Sequence, residues 1–352
     1  MILDHATPSN AFSVPHGLFV ISLDFELYWG VRHNPGVRAY IPRLIGARAA
    51  VPAILQIFTE YSIHATWATV GFLFFDQTRV LLDFAPQGRP QYRNPKLSPY
   101  SDLPPNDARE TARSIFFAPS LIRLIASTPN QELATHTFSH YFCLEEGQHI
   151  DTFREDLFAA REAGRQMGLD LRSLVFPQNE FNAEYLKPCL EAGITAYRGN
   201  PHSWIYREAV QRRQGRTKRF GRLLDSYVPL TSGNCHQIAL SPAQPPVNVP
   251  ASRFLRPYLP SVGALEHMRL QRIKNEMSAA AEGKLLYHLW WHPHNFGADM
   301  ESNLVFLRSL LEHYRSLNER HGFESATMGE VANLCLAGRT HHERAGAHVA
   351  TR

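Results

Sequence analysis

The sequence predicts an α/β domain on a parallel sheet, closed as a barrel or doubly wound. Three observations carry this. Short apolar runs recur along the chain as buried strands would. Segments of helical spacing separate them. The first run ends in carboxylates, and loops at the carboxyl ends of parallel strands are where such folds carry their sites.

Gly17 to Asp24, GLFVISLD, is the first strand. From Arg48 to Tyr61 the side chains of Ile54, Leu55, Ile57, Phe58 and Tyr61 recur at helical spacing, with Pro52 tolerable only in a first turn. Ile63 to Val70 is rich in β-formers and reads as a second strand, followed after Gly71 by an aromatic segment, Phe72 to Phe75. Residues 84–106 carry six prolines and no periodicity, so they form a long loop over one face of the domain. A helix is expected between Ala108 and Ala126, then a strand from Gln131 to Thr135 running into His136.

Thr152 with Glu155 forms a capping box opening a helix to Met167. Leu171 to Phe176 is strand, Ala183 to Ala192 helix closed by Gly193, and Ile194 to Tyr197 strand. Residues 225–262 are Pro-rich and irregular, 265–281 helical, 284–291 a hydrophobic strand and 300–319 an amphipathic helix. No linker or internal repeat interrupts residues 1–338, which read as one domain, with 339–352 a frayed tail.

The chain has 352 residues, 44% of them apolar and 19% charged, which excludes disordered, collagen-like and coiled-coil classes for the bulk. A net charge of +4 is too small to argue for nucleic acid. Cys143, Cys189, Cys235 and Cys335 lie far apart, without a CxxC pair, and predict a reducing compartment. The opening residues lack a basic and an apolar region of signal type, and no apolar run reaches about 18 residues, so a cytoplasmic location is expected.

His136 and His140 in HTFSH stand four residues apart, which on one face of a helical turn lets both bind one metal ion. With 18 histidines in the chain, chance alone supplies roughly one such pair, so position carries the reading: the pair follows a strand. Asp24 and Glu26 end the first strand, and the period of two sends both to one side. One carboxylate suits a metal with two imidazoles, and a second suits the base for an activated water. YHLWWHPHN ends the last strong strand, where His292 is placed as a general acid and His288 as a satisfied barrel residue.

These motifs resemble the polysaccharide deacetylases with a NodB homology domain, carbohydrate esterase family four. SLDFELYWG resembles the first motif, HATWATVG the second strand, HTFSH the metal-binding motif, VFPQNEFN the third motif and LWWHPHN the final histidine motif, in order across about residues 17–297. The resemblance implies a distorted (β/α) barrel of seven parallel strands that binds one divalent ion, zinc foremost, and hydrolyses an N- or O-acetyl group on a sugar. Carried over, His136 and His140 are metal ligands, Asp24 the base and His292 the acid. The family's usual pair of adjacent aspartates is replaced by Asp24, Phe25 and Glu26, which makes Glu26 the third ligand, although the two carboxylates could exchange roles. The arginine usual in the third motif is missing, because Gln178 and Asn179 follow Pro177, and Arg198 is the substitute.

Tyr28, Trp29, Trp67, Trp204, Trp290 and Trp291 supply aromatic faces suited to sugar rings. The substrate-binding set expected is Trp29, Trp67, Gln178, Asn179, Arg198, Trp291 and His294. Seven basic residues between Arg207 and Arg222 could hold phosphates of a nucleotide- or lipid-diphosphate-linked glycan, or touch an anionic membrane surface peripherally. The function expected is deacylation of a sugar during cytoplasmic assembly of a surface polysaccharide. A hydrolase of a non-sugar cyclic amide and an inactive glycan-binding barrel are the alternatives.

Overall fold

β1, Leu18–Phe25, is buried at every position, as an apolar run covered on both faces must be. The computed structural model describes residues 16–34, 36–201, 234–238 and 244–337, apart from the side chain of Ala264. Trp204, the basic cluster from Arg207 to Arg222 and the 339–352 tail lie outside the described residues.

The other strands are β2 (Ala65–Thr69), β3 (Gln131–Thr135), β4 (Ser173–Leu174), β5 (Ala196–Tyr197), β6 (Val247–Asn248), β7 (Arg253–Phe254), β8 (Leu286–Trp291) and β9 (Glu324–Ala326). Their order is β6-β5-β4-β3-β2-β1-β8-β7, with β9 also on β1, and every pairing is parallel. The sheet therefore curves as a distorted barrel, with β6 and β7 as its two edges. Among the described residues it has nine strands against the seven implied by the resemblance. The two-residue ladders β6 and β7 flank the opening, and β9 extends the β2 side of β1 along Leu18, Phe19 and Val20.

The strand period sorts side chains into two cores. Phe19, Ile21, Leu23 and Phe25 of β1 join Ala65 and Trp67 of β2 and Tyr287, Leu289 and Trp291 of β8 in the cluster beneath the helices. Leu18, Val20, Ala68, Ala134, Val175, Ala196, Val247 and Leu286 fill the other face, the barrel interior. Ser22 and Asp24 share the parity of Leu18 and Val20, and His288 and Trp290 that of Leu286, so one face becomes polar toward the carboxyl ends of the strands.

Around the sheet run α1 (Tyr28–Val31), α2 (Val37–Glu60), α3 (Thr78–Phe84), α4 (Glu110–Arg113), α5 (Pro119–Ser127), α6 (Ile150–Gln166) and α7 (Leu186–Glu191). They are followed by α8 (Gly263–Glu282), α9 (Met300–His321) and α10 (Met328–Ala337). α2 starts well before Arg48 and holds Pro52 in its interior rather than its first turn. The proline forfeits a hydrogen bond to the Arg48 carbonyl, which burial of Val51, Ile54, Leu55 and Phe58 offsets. α2 is also long and apolar enough, by length and composition, to cross a membrane. In this fold it is a core helix, with eight side chains buried.

Three local expectations change. The helix between Ala108 and Ala126 is two short helices, α4 and α5, the second opened by Pro119. α6 begins at Ile150 without a capping box: the Thr152 hydroxyl donates to the His149 carbonyl, and Glu155 accepts from the Gly88 amide. The segments 171–176 and 194–197 pair as ladders of two residues only, β4 and β5.

Two features fix the loops around the barrel mouth. Arg32 donates to the carbonyls of Lys96, Leu97 and Ser98 and to the Asp102 carboxylate, pinning the Pro-rich loop. The turn Pro293–Gly297, which follows β8, packs on α2 through two glycines: a Cβ on Gly46 would strike the Gly297 carbonyl, and one on Gly297 the Arg43 carbonyl.

Candidate active site

Glu26 leaves the end of β1 with its carboxylate under α1, where a Cβ on Gly30 would occupy the same space. Its Oε2 lies 3.0 Å from Nε2 of His140 and 3.4 Å from Nε2 of His136. Its Oε1 lies 3.4 Å from Nε2 of His292. Glu26, His136 and His140 are all buried, with ligand atoms within 4.8 Å of one another. Burial pushes the Glu26 carboxyl up, but His292, His136 and His140 outweigh it and hold the group well below its ordinary value. Burial lowers the His140 imidazole despite Glu26, keeping it neutral at pH 7, as a metal ligand requires.

The two histidines do not sit on a helix. Residues 136–140 form an irregular loop after β3, with positive φ at Thr137 (63°) and His140 (56°). These non-glycine left-handed residues fold the loop back so that both rings meet Glu26. Asp156 of α6 holds the turn: its carboxylate accepts from the backbone amides of Phe138 (2.7 Å) and Ser139, and from the Ser139 hydroxyl. Burial pushes the Asp156 carboxyl up to about 6, against the lowering effect of these donors. His136 Nδ1 is 2.8 Å from the Val175 carbonyl, which fixes the tautomer and turns the Nε2 lone pair toward Glu26.

Asp24 lies one pleat back on the same face. Arg198, fully buried, donates to both of its oxygens at 2.7 Å and to the Ser22 hydroxyl at 2.9 Å. Burial raises the Asp24 carboxyl, but Arg198, His136 and His292 together hold it below its ordinary value, so it is ionised at neutral pH. Asn179 accepts from Arg198 at 2.8 Å, within a turn where Gln178 (φ 59°) and Asn179 (φ 55°) are both left-handed. The Arg198 guanidinium stacks on Trp290, 4.1 Å from its ring centre. Asp24, Glu26 and Arg198 together leave one net negative charge, which favours a cation.

His292 is 24% exposed, the most accessible of the group, and its Nε2 lies 3.9 Å from Asp24 Oδ2. His288 is buried against Ser22 and the Val249 carbonyl, held neutral by burial and Arg198 with its pKa lowered to about 3. That is the satisfied barrel histidine expected.

Several expected substrate contacts lie elsewhere. Trp29, Trp67 and Trp291 are fully buried in the core beneath the helices. Trp29 donates to the Phe116 carbonyl and Trp67 to Gln131, while Trp291 stacks on Phe296. Their parity explains this: Trp67 and Trp291 share the face of Leu23, opposite Asp24. Of the described tryptophans, Trp290, on the face of His288, reaches the site, and alternation along β8 was the signal that would have selected it. His294 is buried and stacked on His292 at 5.1 Å, facing Glu26 rather than open space. Gln178 is half-buried beside Asn179, whose side-chain oxygen is taken by Arg198.

Two imidazoles and a carboxylate, all buried and with the His136 tautomer fixed from outside, fit a divalent transition metal of the catalytic zinc type.

No family model matches this sequence, and no curated protein matches it. Solved structures do. A Mycobacterium smegmatis protein described as a polysaccharide deacetylase aligns at TM-score 0.57 and 16% identity, covering 95% of this chain and 96% of that one. A Pseudomonas aeruginosa PAO1 protein, also described as a polysaccharide deacetylase, aligns at TM-score 0.54 and 10% identity over 90% of each chain. The Puue allantoinase aligns at TM-score 0.55 and 11% identity, covering 95% and 98%. With its parallel strands, open curved sheet and alignments over nine-tenths or more of each chain, this chain has the distorted (β/α)-barrel fold of these solved structures.

Proposed function

We propose that this chain is a metal-dependent hydrolase that removes an N-acetyl or related acyl group from a sugar. The observation that carries the reading is the division of labour between two carboxylates: Glu26 faces His136 and His140, whereas Asp24 is held on both oxygens by Arg198. Glu26, His136 and His140 would hold the ion, zinc foremost, which lowers the pKa of water and polarises an acyl oxygen. Asp24, ionised and oriented by Arg198, accepts the proton of the attacking water. His292, at the accessible edge, donates a proton to the leaving nitrogen. Trp290 offers an aromatic face beside Arg198 and His292.

The full reading is a cytoplasmic step in assembling a surface polysaccharide, with a nucleotide- or lipid-diphosphate-linked glycan as substrate. The four unpaired, dispersed cysteines support a reducing location. The alignment with the Puue allantoinase favours one second reading, hydrolysis of a non-sugar amide.

The test is metal content by elemental analysis of the wild type, His136→Ala and His140→Ala, followed by acetate release from acetamido sugars. At least about one equivalent of transition metal, reduced by about one equivalent in both variants, with acetate released, supports the proposal. A wild type that takes up no zinc on soaking refutes it. Turnover of cyclic amides alone selects the second reading.

A further inference from the structure

Glu26 is flanked by imidazoles on both sides. Its Oε2 faces His136 and His140, and its Oε1 faces His292. His292 belongs to a second group, Glu26, His292 and His294, whose ligand atoms also lie within 4.8 Å of one another. His294 is 3% exposed, and its Nδ1 has no hydrogen-bond partner among the described residues. A buried imidazole nitrogen is costly to leave unsatisfied, and no described side chain satisfies this one.

The backbone around this group is rigid. Pro293 opens the turn, and the contact between Gly297 and α2 anchors its far end. The rings of His292 and His294 lie stacked, 23° from parallel. Asp24 lies farther off, 3.9 Å from His292, and pairs with Arg198. The group therefore offers three protein ligands, two nitrogens and one oxygen, with the exposed edge of His292 leaving room for a fourth from solvent.

We propose that Glu26 bridges two cation sites, and that the second, formed by Glu26 Oε1, His292 and His294, binds an inhibitory divalent transition metal. The inhibitory role rests on the reading of His292 as the acid; the site itself does not. An ion on the His292 nitrogen occupies the lone pair that would carry the transferred proton, so a protein filled at both sites loses its proton donor. The nitrogen-rich ligand set selects zinc-like ions over calcium or magnesium.

The experiment is a zinc titration of the metal-stripped full chain, by calorimetry with elemental analysis of the complex. The wild type is expected to bind about two equivalents, His294→Asn about one, and His136→Ala to lose the other. In manganese-loaded wild type, electron paramagnetic resonance is expected to show coupled spins at the second equivalent, as a shared carboxylate requires. With an acylated sugar substrate, excess zinc is expected to slow the wild type at least about tenfold, and His294→Asn proportionally less.

Saturation of the wild type at one equivalent overturns the second site, as does retention of two equivalents by folded His294→Asn. Should that variant fail to fold by circular dichroism, the manganese spectrum of the wild type decides, and a simple sum of isolated ions overturns the bridge. A protein that binds two ions but hydrolyses no acyl sugar refutes the proposed activity and leaves this site standing.

Discussion

Arg198 grips both oxygens of Asp24, each at 2.7 Å, although 174 positions separate the two residues in the chain. The pair is buried, so neither member can exchange its partner for water. Removing one side of such a pair costs about 3–5 kcal/mol, because the other charge is left buried alone.

Arg198→Lys keeps the charge but reaches only one carboxylate oxygen. A fall in kcat of more than about tenfold is expected, with metal content unchanged. Arg198 lowers the Asp24 pKa, so its loss raises that pKa and moves the acid limb of the kcat/KM profile to higher pH. A profile that stays in place would show that Arg198 does not tune Asp24.

Asp24 and Glu26 separate by their readouts. Asp24→Asn is expected to retain its metal and lose about 10²–10⁴-fold in kcat, the usual worth of a general base. Glu26→Gln is expected to lose metal affinity itself. Metal analysis beside steady-state rates distinguishes them, and the opposite pattern would exchange the two roles.

Asp156 lies outside the Glu26, His136 and His140 group, but it ties down the amides that shape the histidine loop. Asp156→Ala leaves the Phe138 and Ser139 amides buried and unpaired, at about 1–3 kcal/mol for each. A 10–100-fold weaker metal affinity is expected, the usual effect of losing an outer support. Competition with a coloured chelator measures it, and an affinity equal to wild type would reduce Asp156 to a fold-stability role.

Away from the site, His64 Nδ1 meets the Glu330 carboxylate at 2.9 Å, tying the start of β2 to α10. The hydrogen bond to Glu330 raises the His64 pKa above 6.5. Burial raises Glu330, but His64 and the Thr327 amide bring it below 4.5. The histidine's contribution is full below pH 6.5 and is lost as pH rises through the folded pKa; that of the glutamate is full above 4.5 and is lost on acidification. The pair is partly exposed, so its effect stays below about 1 kcal/mol. Thermal melts from pH 5 to about 8.5 should show a stability loss in the wild type that His64→Gln lacks. Equal slopes would show that the pair adds nothing.

Local physics made β1, β2, β3, β8, α8 and α9 legible in the sequence. Unbroken apolar runs demand burial on both faces, and helical spacing demands one buried stripe. The ends of β1, β3 and β8 already held Asp24, Glu26, His136, His140 and His292, because in a parallel sheet the strand ends converge. Only the folded chain decided how those residues meet. HTFSH has the spacing of a helical pair, yet Asp156 from α6 and two left-handed residues make it a loop. The tryptophans were visible as residue types, but burial beneath α2 took Trp67 and Trp291 away from the site and left Trp290 in it. Arg198 was expected from the resemblance to replace the missing arginine and orient the catalytic aspartate or bind substrate, and the curved sheet decided that it grips both oxygens of Asp24. Such partnerships depend on contacts between distant segments, and a side chain's neighbours along the chain carry no record of them.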